Sequence, residues 1–190
     1  MVRFGSILIL VLSAITLCAQ DEPQSVLRSG LLRAQGTIAF GTFTELNSNP
    51  IYLHGNLEYY IKPGLSVRGD SYFHLPPSEN SVFKMNHQLY IGPSFHLNTG
   101  GNFSPYAGIQ GGFALSEYDT EILDVQIVED DPSINPLVSA VVGFNYYATN
   151  WFHLFMDGRY VIGEHQSDLF SSSLSEFRFS FGLGFNINTK

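Results

Sequence analysis

The stretch "IYLHGNLEYYIKPGLSVRGDSYFH", Ile51 to His74, alternates with a period of two. Every second residue from Ile51 gives Ile51, Leu53, Gly55, Leu57, Tyr59 and Ile61. Between them stand Tyr52, His54, Asn56, Glu58, Tyr60 and Lys62. After Pro63-Gly64 the pattern resumes, with Leu65, Val67, Gly69, Ser71 and Phe73 set against Ser66, Arg68, Asp70, Tyr72 and His74. A period of two belongs to a strand, whose successive side chains point to opposite faces. Two such runs around "KPG" form a hairpin. Apolar residues are odd-numbered in both strands, so facing pairs must sum to an even number or the faces would mix. The tightest such choice pairs Ile61 with Leu65. It sets Glu58 opposite Arg68, as a direct cross-strand ion pair, and Asn56 opposite Asp70.

The same alternation recurs along the chain. A first, weaker strand covers about Arg33 to Thr44, with Ile38, Phe40 and Thr42 on one face. A fourth runs from about His87 to Leu97, and a fifth is "PYAGIQGGFAL". A sixth groups Val138, Ala140, Val142, Phe144 and Tyr146. A seventh sets Phe152, Leu154, Met156, Gly158, Tyr160 and Ile162 against His153, Asp157 and Arg159. The eighth, "EFRFSFGLGFNI", alternates most cleanly. Helical spacing fits none of them. Eight strands of about ten residues predict an all-β fold, a closed eight-stranded antiparallel up-and-down barrel. Connections after strands two, four and six are short ("KPG", "NTGGNFS", "ATN"). Those after three, five and seven are long, at 75–86, 117–135 and 164–175. Short turns therefore share one end and long loops the other, the habit of transmembrane barrels.

The chain has 190 residues, 17 carboxylates against 9 Lys+Arg, and 14% charged residues, where soluble domains carry roughly 25%. The acidic balance argues against a nucleic-acid partner. Arg3 followed by "FGSILILVLSAITLCA" reads as a secretory signal peptide over 1–19, cleaved after Ala19. The apolar run falls short of the ~20 residues that a spanning helix needs. Cys18 is the only cysteine, and Leu17 stands where a lipidation motif wants a small residue. The mature chain then has no disulfide, and it loses Arg3, which leaves a net charge of −9. Residues 20–32 form an N-terminal leader and 33–190 the barrel domain.

Periodicity alone leaves two barrels open: a soluble, lipocalin-like one with apolar residues inside, and a membrane one with apolar residues facing lipid. The long and short loop ends favour the membrane. So does an aromatic girdle near the short turns, made of Tyr59, Tyr60, Tyr146, Tyr147, Trp151 and Phe152. The polar face then fills the interior, with Glu58, Arg68, Asp70, Asp157, Arg159, Glu176 and Arg178. Buried charge must be paired, so these residues form an interior salt-bridge network that plugs the lumen. Gly108, Gly112, Gly182 and Gly184 make room for the larger side chains.

"SPYAGIQGGF", "GFNYYATNWFHLFMDGRY" and "FSFGLGF" resemble the small outer-membrane β-barrel family of Gram-negative bacteria, the eight-stranded OmpA- and OmpX-like, porin-family barrels. The resemblance covers about 36–187. It implies an outer-membrane location and contact with outer-membrane lipid. It also implies passage through the barrel-assembly machinery, and a structural or interaction role through acidic outer loops whose partner the sequence does not name. One departure stands out. The family usually ends on an aromatic residue, whereas this chain continues past Phe185 to Lys190, so the assembly signal is displaced inward.

Two other functions come from different classes. One is a narrow pore. The other is a lipid A-modifying hydrolase, which the His-x-Ser pair of "EHQSD" resembles, with His165 as base, Ser167 as nucleophile and Glu176 as the orienting acid. The flanking residues do not match and the pair falls in a predicted loop, so the chain reads as a non-enzyme. The segment 117–135 holds seven carboxylates and no Lys or Arg. Its spacing is not that of an EF-hand, and it reads as a solvated loop. His54, His74, His96 and His153 face inward, scattered over strands. No metal site and no cofactor motif is found.

Overall fold

The computed structural model describes residues 26–75, 82–119, 131–166 and 171–189. The expected signal peptide, Ser167 and most of the acidic segment lie outside them. Among the described residues the strands are β1 (Leu31–Phe43), β2 (Ile51–Lys62), β3 (Leu65–His74), β4 (Phe83–His96), β5 (Phe103–Tyr118), β6 (Ser133–Tyr147), β7 (Phe152–Gln166), β8 (Ser171–Ser173) and β9 (Glu176–Asn188). From β1 to β7 each strand pairs antiparallel with the next. β9 pairs with β7 on one side and β1 on the other, which closes the sheet. β8 is a three-residue strand that pairs only with Glu164–Gln166 of β7. The eight long strands therefore make a closed up-and-down barrel in which, among the described residues, each has a neighbour on both sides.

Several strands outrun their apolar alternation. β4 begins at Phe83, β5 continues to Tyr118, β6 begins at Ser133 and β7 reaches Gln166. Glu117, Glu164 and His165 thus lie on strands rather than in loops. The added residues, such as Ser116, Asn135 and His165, are polar on the inner face, so hydropathy stops alternating while the backbone ladder goes on.

The β2–β3 register has the even sum. Asn56 faces Asp70, Glu58 faces Arg68 and Tyr60 faces Ser66. The pairing then shifts, Lys62 faces Leu65, and Ile61 is the extra residue of a bulge. The Ile61–Leu65 pair is therefore not formed. Pro63-Gly64 joins Lys62 directly to Leu65 as a two-residue turn, and the bulge absorbs the odd residue.

On every long strand the outward phase is mainly apolar and the inward phase carries the charged and most of the polar residues, with apolar ones gathered chiefly toward the two ends. Ile91 and Ile109 are each 66% exposed, while Arg68 and Glu58 are fully buried. A soluble barrel would show the reverse. The apolar packing inside is split between the ends. At the long-loop end Phe43, Tyr52, Tyr72, Phe83, Leu137 and Leu174 pack together. At the short-turn end the cluster is Leu27, Leu31, Tyr60 and Tyr147, with Val26 against it.

Candidate functional site: the charged interior

Between the two apolar ends the lumen is polar. All seven charged residues assigned to the interior from the sequence are buried: Glu58, Arg68, Asp70, Asp157, Arg159, Glu176 and Arg178. An eighth joins them. Arg33, at the expected start of the first strand, is fully buried on β1. Its parity was legible, since Arg33 alternates against the outward Ile38 and Phe40. The described interior thus holds four arginines and four carboxylates. Their positions are fixed by alternation, because each stands on the inward phase of its strand.

The charges form three groups along the axis. Nearest the short turns, Arg33 pairs with Glu58 Oε2 and donates to Tyr147 Oη at 2.9 Å. Glu58 Oε1 meets His96 Nε2 at 2.6 Å and accepts from Ser66 Oγ. His96 Nδ1 lies 3.1 Å from Tyr60 Oη. The expected direct Glu58–Arg68 ion pair is therefore replaced by Arg33–Glu58 and Arg68–Asp70 pairs. The two residues face each other across the ladder, but the Arg68 guanidinium turns along its own strand and across the lumen.

That turn builds the central group. Arg68 Nη2 donates to Asp70 Oδ1 at 2.8 Å and to Asp157 Oδ2 at 2.9 Å. Asp70 is the hub. It is 2.9 Å from Arg159 Nη2, 2.9 Å from His54 Nε2, and accepts from Asn56 Nδ2 at 3.1 Å and Gln110 Nε2 at 2.8 Å. Tyr106 donates to Asp157 at 2.9 Å. Arg159 also donates to Ser139 Oγ at 2.7 Å and to Tyr72 Oη at 3.1 Å. Nearest the long loops, Glu176 Oε2 accepts from Arg178 Nη2 at 2.7 Å and from Tyr52 Oη at 2.9 Å. The Arg178 guanidinium lies 4.2 Å from the Tyr52 ring centroid and 4.4 Å from that of Tyr72, at which distance ring faces attract a cation. Removed from water, charges of opposite sign at these distances hold one another and their hydrogen-bond partners firmly.

The girdle divides by parity. Tyr59 and Trp151 are exposed and Tyr146 and Phe152 half-buried. Trp151 stacks on Phe185 with centroids 6.1 Å apart. Tyr60 and Tyr147 point inward instead and are buried, so they do not belong to it. The reason is the period itself, since adjacent residues of one strand cannot share a face.

His165 does not project from a loop. Its Nδ1 lies 2.8 Å from Ser116 Oγ and 3.2 Å from Ser133 Oγ, buried at the long-loop end. Glu176 Oε2 is taken by Arg178 and Tyr52. Ser167 lies outside the described residues. Of the acidic segment, Glu117 is seen to meet Lys84 at 2.8 Å. Among the described residues no group of His, Cys, Asp and Glu is placed to hold a metal.

No protein-family model matches the chain, and no curated protein is similar to it. Solved structures are. The outer membrane protein OprG of Pseudomonas aeruginosa aligns with a TM-score of 0.66 at 11% identity, over 85% of this chain and 98% of that one. The N-terminal β-barrel domain of OprF from the same organism gives 0.60 at 12%, over 84% and 98%. Neisserial surface protein A gives 0.60 at 15%, over 84% and 98%. At such identities the likeness is one of fold: this chain has the small eight-stranded outer-membrane barrel fold.

Proposed function

We propose that this chain is an integral outer-membrane β-barrel of a Gram-negative bacterium, exported with a cleaved signal peptide and inserted by the barrel-assembly machinery. Its interior is plugged, and its role is structural or interactive, through the long-loop end. The observation that carries this reading is the inversion of polarity: an apolar belt outside and four arginines against four carboxylates inside. Exposed apolar surface on that scale is intolerable in water and suited to lipid. An eight-stranded barrel is just wide enough for side chains to fill, and both ends here carry apolar clusters. The lipid around the barrel is its constant partner; the loop partner, reached through an acidic surface, is not a nucleic acid. The reading as a non-enzyme is supported by the burial of His165, whose Nδ1 lies against Ser116 and Ser133 rather than at an open loop.

Conductance tests the plug. Purified protein in planar bilayers is expected to give no stable single-channel steps. Reproducible large steps from the pure protein would establish the narrow-pore function in its place.

A further inference from the structure

At the short-turn mouth the residues just ahead of β1 pack inward. Before β1 the backbone turns at Gly30, whose φ of +82° lies in the left-handed region that side-chain-bearing residues avoid. The turn is tied on both sides: Gly30 N donates to Tyr60 O at 2.9 Å, and Thr189 N donates to Gly30 O at 3.1 Å. Ser29 Oγ donates to Ile61 O at 2.9 Å. The segment is thereby directed across the mouth, and Leu27 packs against Leu31, Tyr60 and Tyr147. Leu27 is 5% exposed although it precedes the barrel wall. Tyr60 and Tyr147 in turn reach the charged group nearest this mouth, through His96 and Arg33.

Behind this closure the lumen is polar and incompletely paired. Gln35 Oε1, Ser104 Oγ, Asn145 Nδ2 and His153 Nδ1 are buried without a hydrogen-bond partner. Groups of this kind gain partners when water reaches them. What stands between these groups and the short-turn mouth is the apolar cluster of Leu27, Leu31, Tyr60 and Tyr147, anchored by the hydrogen bonds of Ser29 and Gly30. Short segments outside the strand ladder can open locally at a fraction of the cost of global unfolding.

We infer that residues 26–28, hinged on the hydrogen-bonded turn at Ser29–Gly30, are a stopper, a strap that closes the short-turn end of the lumen and can be withdrawn without unfolding the barrel. This rests on the plugged-interior reading and adds which residues make the seal at that end. The occupant of the mouth is thus a segment of this chain, and its withdrawal admits water and small solutes to the Arg33–Glu58–His96 group.

The test is thiol labelling in detergent-folded or vesicle-inserted mature chain, which is free of cysteine once residues 1–19 are gone. Ser104→Cys places a reporter in the lumen at the start of β5, beside Tyr147, whose N donates to Asn102 O at 2.8 Å. A small charged methanethiosulfonate is expected to label this cysteine slowly when the strap is intact. Leu27→Ser, or removal of Val26–Arg28, is expected to raise the rate by about tenfold or more. Heat-modifiable gel mobility shows in parallel that each variant remains a closed barrel. Leu27→Ser touches no ladder hydrogen bond, so it reports even if the deletion misfolds. Equal rates in the strapped and strapless folded barrels would overturn the stopper, whether both are fast or both slow. Equal slow rates leave the plugged interior standing, whereas ion conductance by the intact chain would strike that reading instead.

Discussion

A single buried carboxylate separates what alternation determines from what it does not. Parity places Glu58 inside, and the even-sum register places it opposite Arg68, as the ladder has it. Which arginine it holds is another matter. Long side chains cross the lumen, so the partner depends on the whole closed wall, and Arg33 from β1 takes the position that Arg68 was expected to fill. Losing one member of a buried pair leaves an uncompensated charge and costs about 3–5 kcal/mol. Arg33→Ala is therefore expected to destabilise the barrel by that order in denaturant titrations in detergent. In a double-mutant cycle Arg33→Ala and Glu58→Ala should be strongly less than additive, by about 1–3 kcal/mol. The Arg68→Ala and Glu58→Ala pair should couple less, since Arg68 spends its hydrogen bonds on Asp70 and Asp157. A larger coupling for the second pair would put Arg68, not Arg33, on Glu58.

At the scale of the strand, the two faces carry opposite tolerances. Gly111 and Gly112 are neighbours on β5. A methyl on Gly111 would meet nothing within 4 Å, whereas one on Gly112 would run into the Leu89 carbonyl oxygen and come within 2.6 Å of Tyr90 Cδ1. Gly112→Ala is expected to lower stability by about 1–3 kcal/mol through overpacking, while Gly111→Ala changes it little. Equal losses would mean that β5 presents these residues otherwise than the ladder shows. Strand identity and facing were legible because lipid and lumen impose opposite chemistry on alternate residues. Strand ends were not. Above Ser116 on β5, and at Glu164 and His165 on β7, inner and outer residues are both polar, and only the backbone hydrogen bonds continue. The hairpin bulge at Ile61 was likewise invisible, since it is a matter of turn geometry rather than hydropathy.

For the molecule as a whole, the closed barrel was legible from eight alternating runs and the rhythm of short and long connections. The strap was not, because Val26 and Leu27 carry no periodic signal and are too few to predict where they pack. An apolar outer wall around a charged interior is suited to lipid, and the chain carries its own probe for that contact. Trp151 is the only tryptophan. It sits outward beside the short β6–β7 turn, 61% exposed and stacked on Phe185, where an amphipathic ring belongs at the membrane interface. The direct measurement is Trp151 fluorescence of the folded protein in vesicles containing lipids brominated at graded depths. Strong quenching by bromines close to the headgroup, weaker quenching by those near the bilayer centre, and little by aqueous acrylamide is the expected result. Fluorescence untouched by brominated lipid at every depth, yet quenched by acrylamide, would contradict a lipid-facing wall.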